Sequence, residues 1–304
     1  MPERVYAADS VCRFFEVLFD SGPAFPVSNL DLRRRNPLTA KSISQSRTMG
    51  FQHVAFAAHT DIGRKRQRNE DAILALPEYG VFCVADGMGG IQGGEMASRA
   101  VVDALRQTLV RRDDRDATLE STRAQITRAI EEAGRAIRRE AAERGFRGAG
   151  TTAVVLALDA RDPARAAAFH AGDSRLYRFR GGILDQITRD HSFAAAVGYR
   201  DPSSLPSLFR NLVTRAIGLD DFVELEETSF EIQPRDLLLL CSDGLTNMLP
   251  DNRLAAILSA QPPDSLAGLP QVLVDQANQA GGVDNISVIA VRAGLPIPTA
   301  AGLG

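Results

Sequence analysis

Four aspartates in this chain each close an apolar run and are followed at once by a small or turn-forming residue: Asp86-Gly87, Asp173-Ser174, Asp243-Gly244 and Asp284-Asn285. Most surface aspartates merely cap a helix or sit in a solvated turn. A carboxylate at the end of a strand is placed differently, because neighbouring strand ends lie side by side. Converging there, these groups would concentrate negative charge that like-charge repulsion forbids unless cations neutralise it. Hard divalent ions that prefer oxygen ligands answer that need, and no Cys/His cluster with zinc spacing competes, so the chemistry indicated is that of Mn²⁺ or Mg²⁺. The stretch VADGMGGIQGGE, residues 84–95, crowds Gly87, Gly89, Gly90, Gly93 and Gly94 around Asp86. Glycine directly after Asp86 lets the backbone come close enough for a main-chain carbonyl to act as a ligand, and the others permit a turn that bulkier residues resist.

The other charges of interest lie in GRKRQRNEDA, residues 63–72, where Arg66 precedes Glu70 and Asp71. Near a metal pair, an arginine offers a planar fork of donors matched to phosphate oxygens, while Glu70 and Asp71 can hold metal-bound waters. Taken alone, the run reads equally as a solvated basic loop, which charge runs usually are.

Positioning these groups requires strands. Short runs rich in Val, Ile, Leu and Phe fall at 53–58, 72–76, 81–85, 152–158, 166–170, 174–179, 183–187, 237–241 and 286–292, bounded by Gly, Asp or Pro. Two helical patterns interrupt them. The first opens near Gly94 with Ala97, Val101, Ala104, Leu105 and Leu109 on one face; the second carries Ile126, Ile130, Ala133, Ile137 and Ala141. Each has a single apolar stripe and should pack on a sheet. Two adjacent helices followed by closely spaced strands do not make a βαβ alternation, so the latter half reads as antiparallel, and FRGGIL, residues 179–184, is a hairpin with Gly181 and Gly182 at its turn.

Composition sets outer bounds. With 304 residues and 44% hydrophobic side chains the chain can bury a substantial core, and a formal net charge of -3 argues against nucleic acid as a partner. Cys12, Cys83 and Cys241 form an odd set without CxxC spacing, which reads as reduced thiols in a cytoplasmic protein rather than a disulfide framework. No stretch is long and apolar enough to span a bilayer. Residues 1–50 read as an N-terminal extension, with an apolar stripe (Val11, Phe14, Phe15, Leu18, Phe19), then prolines, a basic cluster and a Ser/Thr-rich stretch up to Met49. The stripe is either a docking segment or part of a flexible extension, or the start lies at Met49. The main domain spans 51–294, and 295–304 is a frayed tail.

The ordered set RQRNED (66–71), DGMGG (86–90), GTT (150–152), AGDSRLY (171–177), TRDHS (188–192), TRAIG (214–218), CSDGLT (241–246) and DNISVIAV (284–291) resembles the metal-dependent protein phosphatases of the PP2C (PPM) family in its bacterial form. Any one motif is weak; eight in order, from about Thr60 to Arg292, are specific. The resemblance implies an α+β fold: a β-sandwich of two antiparallel sheets flanked by helix pairs. It also implies a centre of two Mn²⁺ or Mg²⁺ ions at one end of the sandwich. By match of motif, Asp86 bridges the two ions, the Gly87 carbonyl binds one, and Asp243 and Asp284 complete the other. Glu70 and Asp71 surround the centre largely through water, Asp173 helps hold a third, weaker ion, and Arg66 clamps the substrate phosphate. The implied activity is hydrolysis of phosphoserine and phosphothreonine in proteins by a metal-activated water, with phosphoproteins as substrates, a cognate Ser/Thr kinase as counterpart, and a monomer as the working form. No side-chain nucleophile is needed.

Departures from the pattern matter as well. Eukaryotic relatives carry a histidine thought to act as general acid at the position of Met88, whose thioether cannot protonate a leaving oxygen. Ile91 replaces a histidine often found after the paired glycines. His191 is the tempting substitute, set against a structural role at the base of a flap formed by 193–213. His53, His59 and His170 lie in strand-like runs and read as core or edge residues. Three further readings remain beside the phosphatase: a catalytically dead binding module, which intact Asp86, Asp243, Asp284 and Arg66 oppose; a metal-stabilised scaffold; and a phosphatase acting on a sigma-factor regulator.

Overall fold

A computed structural model of the chain describes residues 43–49, 51–111, 118–198, 212–262 and 266–292. Twelve strands form two sheets. The first contains β1 (Ile43–Met49), β2 (Phe51–Asp61), β12 (Ile286–Arg292), β11 (Leu237–Cys241), β8 (Arg175–Arg180) and β9 (Ile183–Gln186), neighbours in that order. The second contains β10 (Glu226–Glu231), β7 (Arg165–Ala171), β6 (Ala153–Leu158), β4 (Val81–Met88) and β3 (Asp71–Leu76), with the two-residue β5 (Gly150–Thr151) beside the end of β4. Every pairing is antiparallel.

Side-chain alternation explains why the central strands are apolar throughout. On β4, Val81, Cys83 and Ala85 face helices α1 (Gly90–Val110) and α2 (Leu119–Arg144), while Phe82 and Val84 face the other sheet. On β11, Leu238 and Leu240 enter the space between the sheets, while Leu237, Leu239 and Cys241 meet α5 (Asp251–Ser259) and α6 (Leu269–Gln279). Strands buried on both faces cannot alternate apolar with polar. The layers are therefore helix, sheet, sheet, helix, with three cores between them. Short helices α3 (Phe193–Ala196) and α4 (Asp243–Thr246) follow the His191 and Cys241 motifs.

Each of the nine strand-like runs coincides with a strand, to within one residue at Thr152, Ser174 and Ile187. Besides the two-residue β5, two strands carry no such signal. The first, β1, falls within the stretch assigned to the N-terminal extension; its sequence ISQSRTM is mostly polar, as an edge strand that pairs on one side only permits. The second, β10, reads EETSFE and lies at the edge of its sheet, where only Phe230 packs on the core between the sheets. The stripe Val11–Phe19, most of the flap (199–211) and the tail 295–304 lie outside the described residues.

Antiparallel order decides where the strand ends meet. The C-terminal ends of β4, β7 and β11 lie at the same edge of the sandwich as the N-terminal ends of β3, β6, β8 and β12. Those are the ends that carry the aspartates.

Candidate metal centre

Asp86 lies in β4 directly opposite Asp71, the first residue of β3. Asp243 opens α4 immediately after β11, Asp284 lies two residues before β12, and Asp173 sits in the turn between β7 and β8. The antiparallel sandwich thus brings all five to one recess, in which each is half-buried. Their electrostatics follow. Burial first, then the charges of Asp71, Asp243, Asp173 and Asp284, push the Asp86 carboxyl far above its ordinary range. Asp173 is pushed up by burial and by Asp243 and Asp190, and Asp243 by burial and Asp284, with Asp86 acting the other way. Asp71 is raised to about 7 by burial, against hydrogen bonds from Ser287 and Ser242 that favour its charge.

Two oxygens are left without partners where solvent does not reach. Asp71 Oδ1 and Asp243 Oδ1 are buried and accept no hydrogen bond. Buried carboxylate oxygens normally have a partner, and a recess walled by five carboxylates with orphaned oxygens fits hard divalent cations. The remaining oxygens are oriented by the protein. Ser242 Oγ donates to Asp71 Oδ2 at 2.8 Å, Asn247 Nδ2 donates to Asp243 Oδ2 at 3.0 Å, and the Asn285 backbone N–H donates to Asp284 Oδ1 at 2.8 Å.

Glycine 87 shows why this turn tolerates no side chain. A Cβ there would lie 2.2 Å from the Gly94 carbonyl oxygen and 2.6 Å from that of Glu70, so the backbone of β4, the start of α1 and the entry to β3 close around Asp86. The GTT motif fixes the other side: Thr152 N–H and Thr151 Oγ1 both donate to the Asp86 carbonyl at 2.8 Å. Glu70 sits at the rim, its carboxyl raised by burial, with the charges of Asp284 and Glu95 adding to it.

Arg66 projects from the loop between β2 and β3 over the same recess. Its side chain is half exposed, and Nη2 donates to Asp284 Oδ2 at 2.6 Å. Burial works against its charge, but that bond and the charges of Glu70 and Asp86 hold it firmly protonated. A cation with free donors at the mouth of a carboxylate recess is suited to an anionic ligand that spans both.

Some residues with chemical potential are occupied otherwise. Arg175 forks onto Asp190 (2.9 and 2.7 Å), which makes Asp190 an ion-pair partner beside the recess. Cys83 and Cys241 are fully buried free thiols pushed up by burial, Cys241 to about 12, so neither forms a thiolate nucleophile at neutral pH. His170, His191 and Glu226 place one donor atom each within 4.8 Å of one another. They nonetheless form a hydrogen-bonded brace. Gly172 N–H donates to His191 Nδ1 at 3.2 Å, which leaves the ring proton on Nε2, facing Glu226 Oε2 at 3.0 Å, with Arg215 Nη1 at 3.4 Å. The ring stacks on His170 at 4.5 Å, and burial lowers its pKa to about 4. His191 is thus neutral at physiological pH.

The raised carboxyl groups make a prediction for metal-free protein. Between the ordinary Asp range near about 4 and the raised values, the folded state holds more protons than the unfolded one. Its stability is therefore expected to fall as pH rises through about 7, and Mn²⁺ is expected to reverse the loss. Thermal melting of chelator-treated protein at about pH 5 and about pH 8, with and without Mn²⁺, reads this directly; equal melting temperatures at both would show that the carboxylates do not crowd one another.

The chain is similar over most of its length to known proteins. A family model for protein phosphatase 2C matches residues 62–261. The serine/threonine phosphatase stp of Listeria monocytogenes is 33% identical over 255 residues, covering 79% of this chain and 95% of the relative. Among solved structures, PppA, described as a key regulatory component of the T6SS in Pseudomonas aeruginosa, superposes with a TM-score of 0.70 at 35% identity, covering 80% of this chain and 99% of that one. The catalytic domain of the serine/threonine protein phosphatase PstP, solved with two manganese ions, superposes with a TM-score of 0.66 at 30% identity, covering 79% of this chain and 97% of that one.

Proposed function

The chain belongs to the protein phosphatase 2C family and is a metal-dependent protein serine/threonine phosphatase, and on that premise we propose that its catalytic centre is the recess of Asp86, Asp243, Asp284, Asp71 and Asp173 under Arg66. The observation that carries the assignment is the gathering of five aspartates at one end of the sandwich with two orphaned carboxylate oxygens, Asp71 Oδ1 and Asp243 Oδ1. Asp86, Asp243 and Asp284, with the Gly87 carbonyl, would hold two Mn²⁺ or Mg²⁺ ions. Bound there, such ions supply an activated water at neutral pH and neutralise charge on the phosphoryl oxygens.

The chain's own residues do the rest. Arg66 binds and orients the phosphate oxygens through its fork of donors and offsets their charge. Glu70 and Asp71 accept hydrogen bonds from water in the recess. Ser242 and Asn247 keep the Asp71 and Asp243 carboxylates turned inward. Cys83 and Cys241, buried and held protonated, offer no thiolate, and the attacking group in this reading is water.

A third, weaker ion at Asp173 completes the reading. Asp173→Ala is expected to lower activity severalfold at limiting Mn²⁺ and little at saturation, as the Mn²⁺ dependence of phosphoserine-peptide hydrolysis would show; a loss as deep as that of the Asp243 variant would make Asp173 an equal ligand. Hydrolysis of p-nitrophenyl phosphate with and without Mn²⁺ tests the whole assignment, since a binding module or metal-stabilised scaffold turns nothing over at any Mn²⁺ concentration, whereas the enzyme turns over only with the metal. Residues 51–294 form the phosphatase domain in this reading, with β1 an added edge strand. In this reading the enzyme is a cytoplasmic monomer opposed to a Ser/Thr kinase; the free buried thiols of Cys83 and Cys241 suit a reducing compartment. Among the described residues no helix is long and apolar enough to cross a membrane.

A further inference from the structure

The loop that carries Arg66, residues 62–70 between β2 and β3, is held along its length by the segment 281–285 that carries Asp284. Asn285 makes three of these contacts. Its Nδ2 donates to the carbonyls of Ile62 (3.0 Å) and Arg68 (2.8 Å), and its Oδ1 accepts the Glu70 N–H at 2.9 Å. One planar amide, 4% exposed, thus grips both ends of the loop. Two backbone contacts complete the fit. Arg64 N–H donates to the Gly282 carbonyl at 2.6 Å, and Gly63, at φ +78°, lies so close to Asp284 that a Cβ would come within 2.1 Å of its carbonyl oxygen.

Between those anchors Arg66 itself has little support. Its side chain is half exposed, and among the described residues its guanidinium is held by a hydrogen bond to Asp284. The direction in which the guanidinium points is therefore set by the loop ends. Ordering such a loop costs conformational entropy at every residue, and hydrogen bonds near its ends act on all of it.

We propose that Asn285 is a positioning residue for Arg66: it fixes the phosphate-binding loop to the chain segment of the adjacent carboxylate ligand, so that the guanidinium and the metal recess keep one relative placement. This rests on the reading of Arg66 as the phosphate ligand. The side chain suits the task because it needs two donors and one acceptor in one plane. Aspartate would turn a carboxylate oxygen toward two carbonyls, and serine or alanine cannot reach all three groups.

The test is a double-mutant cycle on the full chain, with p-nitrophenyl phosphate as substrate and inorganic phosphate as inhibitor, in saturating Mn²⁺. Asn285→Ala and Asn285→Ser are expected to raise KM and the phosphate inhibition constant by about fivefold or more, with kcat changed less than about twofold. Having two variants guards against one that does not fold, and thermal melting identifies it. In the Arg66→Ala background, Asn285→Ala is expected to change the phosphate constant less than about twofold, because the group it positions is gone. Asp159→Asn is the structural control: it alters a buried side chain that accepts the Arg161 and Asp162 N–H groups after the C-terminal end of β6, at the opposite end of the strands from the aspartates, and it should keep the wild-type phosphate constant. The proposal is overturned if the Asn285 and Arg66 effects multiply, or if the Asn285 loss falls on kcat alone. An unchanged phosphate constant in Arg66→Ala alone would instead overturn the reading of Arg66.

Discussion

Asp243→Asn and Asp284→Asn are each expected to abolish nearly all turnover while leaving the fold intact. Loss of an outer partner of a metal ligand typically costs about 10- to 100-fold in affinity or activity, so loss of a ligand's charge should exceed about 100-fold. Structural damage should be slight, because asparagine keeps the shape and one acceptor: Asn247 Nδ2 still finds an oxygen at position 243, and the Asn285 N–H still finds one at 284. The metal-free variants should even gain stability, since each change removes one of the charges that push up the Asp86 carboxyl. Calorimetric Mn²⁺ titration and melting of the same samples separate the two effects. Wild-type Mn²⁺ binding by the Asp243 variant would remove Asp243 from the ligand set.

Arg66→Ala should act on phosphate and spare the metal, because a guanidinium repels cations and pairs with phosphate oxygens. A hydrogen bond to a charged group contributes about 1.5–3 kcal/mol, which predicts a rise in KM for phosphoserine peptides of about 10- to 100-fold. Inhibition by inorganic phosphate should weaken in step, with Mn²⁺ affinity nearly unchanged. Arg64→Ala and Arg68→Ala remove the same charge from neighbouring exposed positions. If all three variants lost activity equally, and the losses were screened by salt, Arg66 would contribute only general attraction.

Much of this was legible in the chain itself. The apolar runs located the central strands because those strands are buried on both faces, and the aspartates that end them marked where the sheets converge. Two of the four edge strands were not legible: β1 and β10 pair on one side, and a polar sequence such as ISQSRTM satisfies that environment as well as an apolar one. Helices α5 and α6 went unread as elements because their apolar stripes, such as Leu254, Ile257 and Leu258, are short and adjoin Pro250 and Gly268. The residues that position the ligands were also missed. Ser242, Ser287 and Asn285 sit inside the motifs beside the aspartates, yet a serine or asparagine next to a strand end reads as turn chemistry. Only the fold reveals that Ser287 N–H bonds Ser242 Oγ at 3.0 Å, and that Ser242 in turn bonds Asp71.

The most direct test is anomalous diffraction from crystals soaked in Mn²⁺. The account predicts two strong manganese peaks in the recess, both within ligand distance of Asp86, one shared with Asp243 and Asp284 and one with the Gly87 carbonyl, and a weaker third beside Asp173. Manganese absent from that recess in an active crystal, or bound instead between His170, His191 and Glu226, would contradict it.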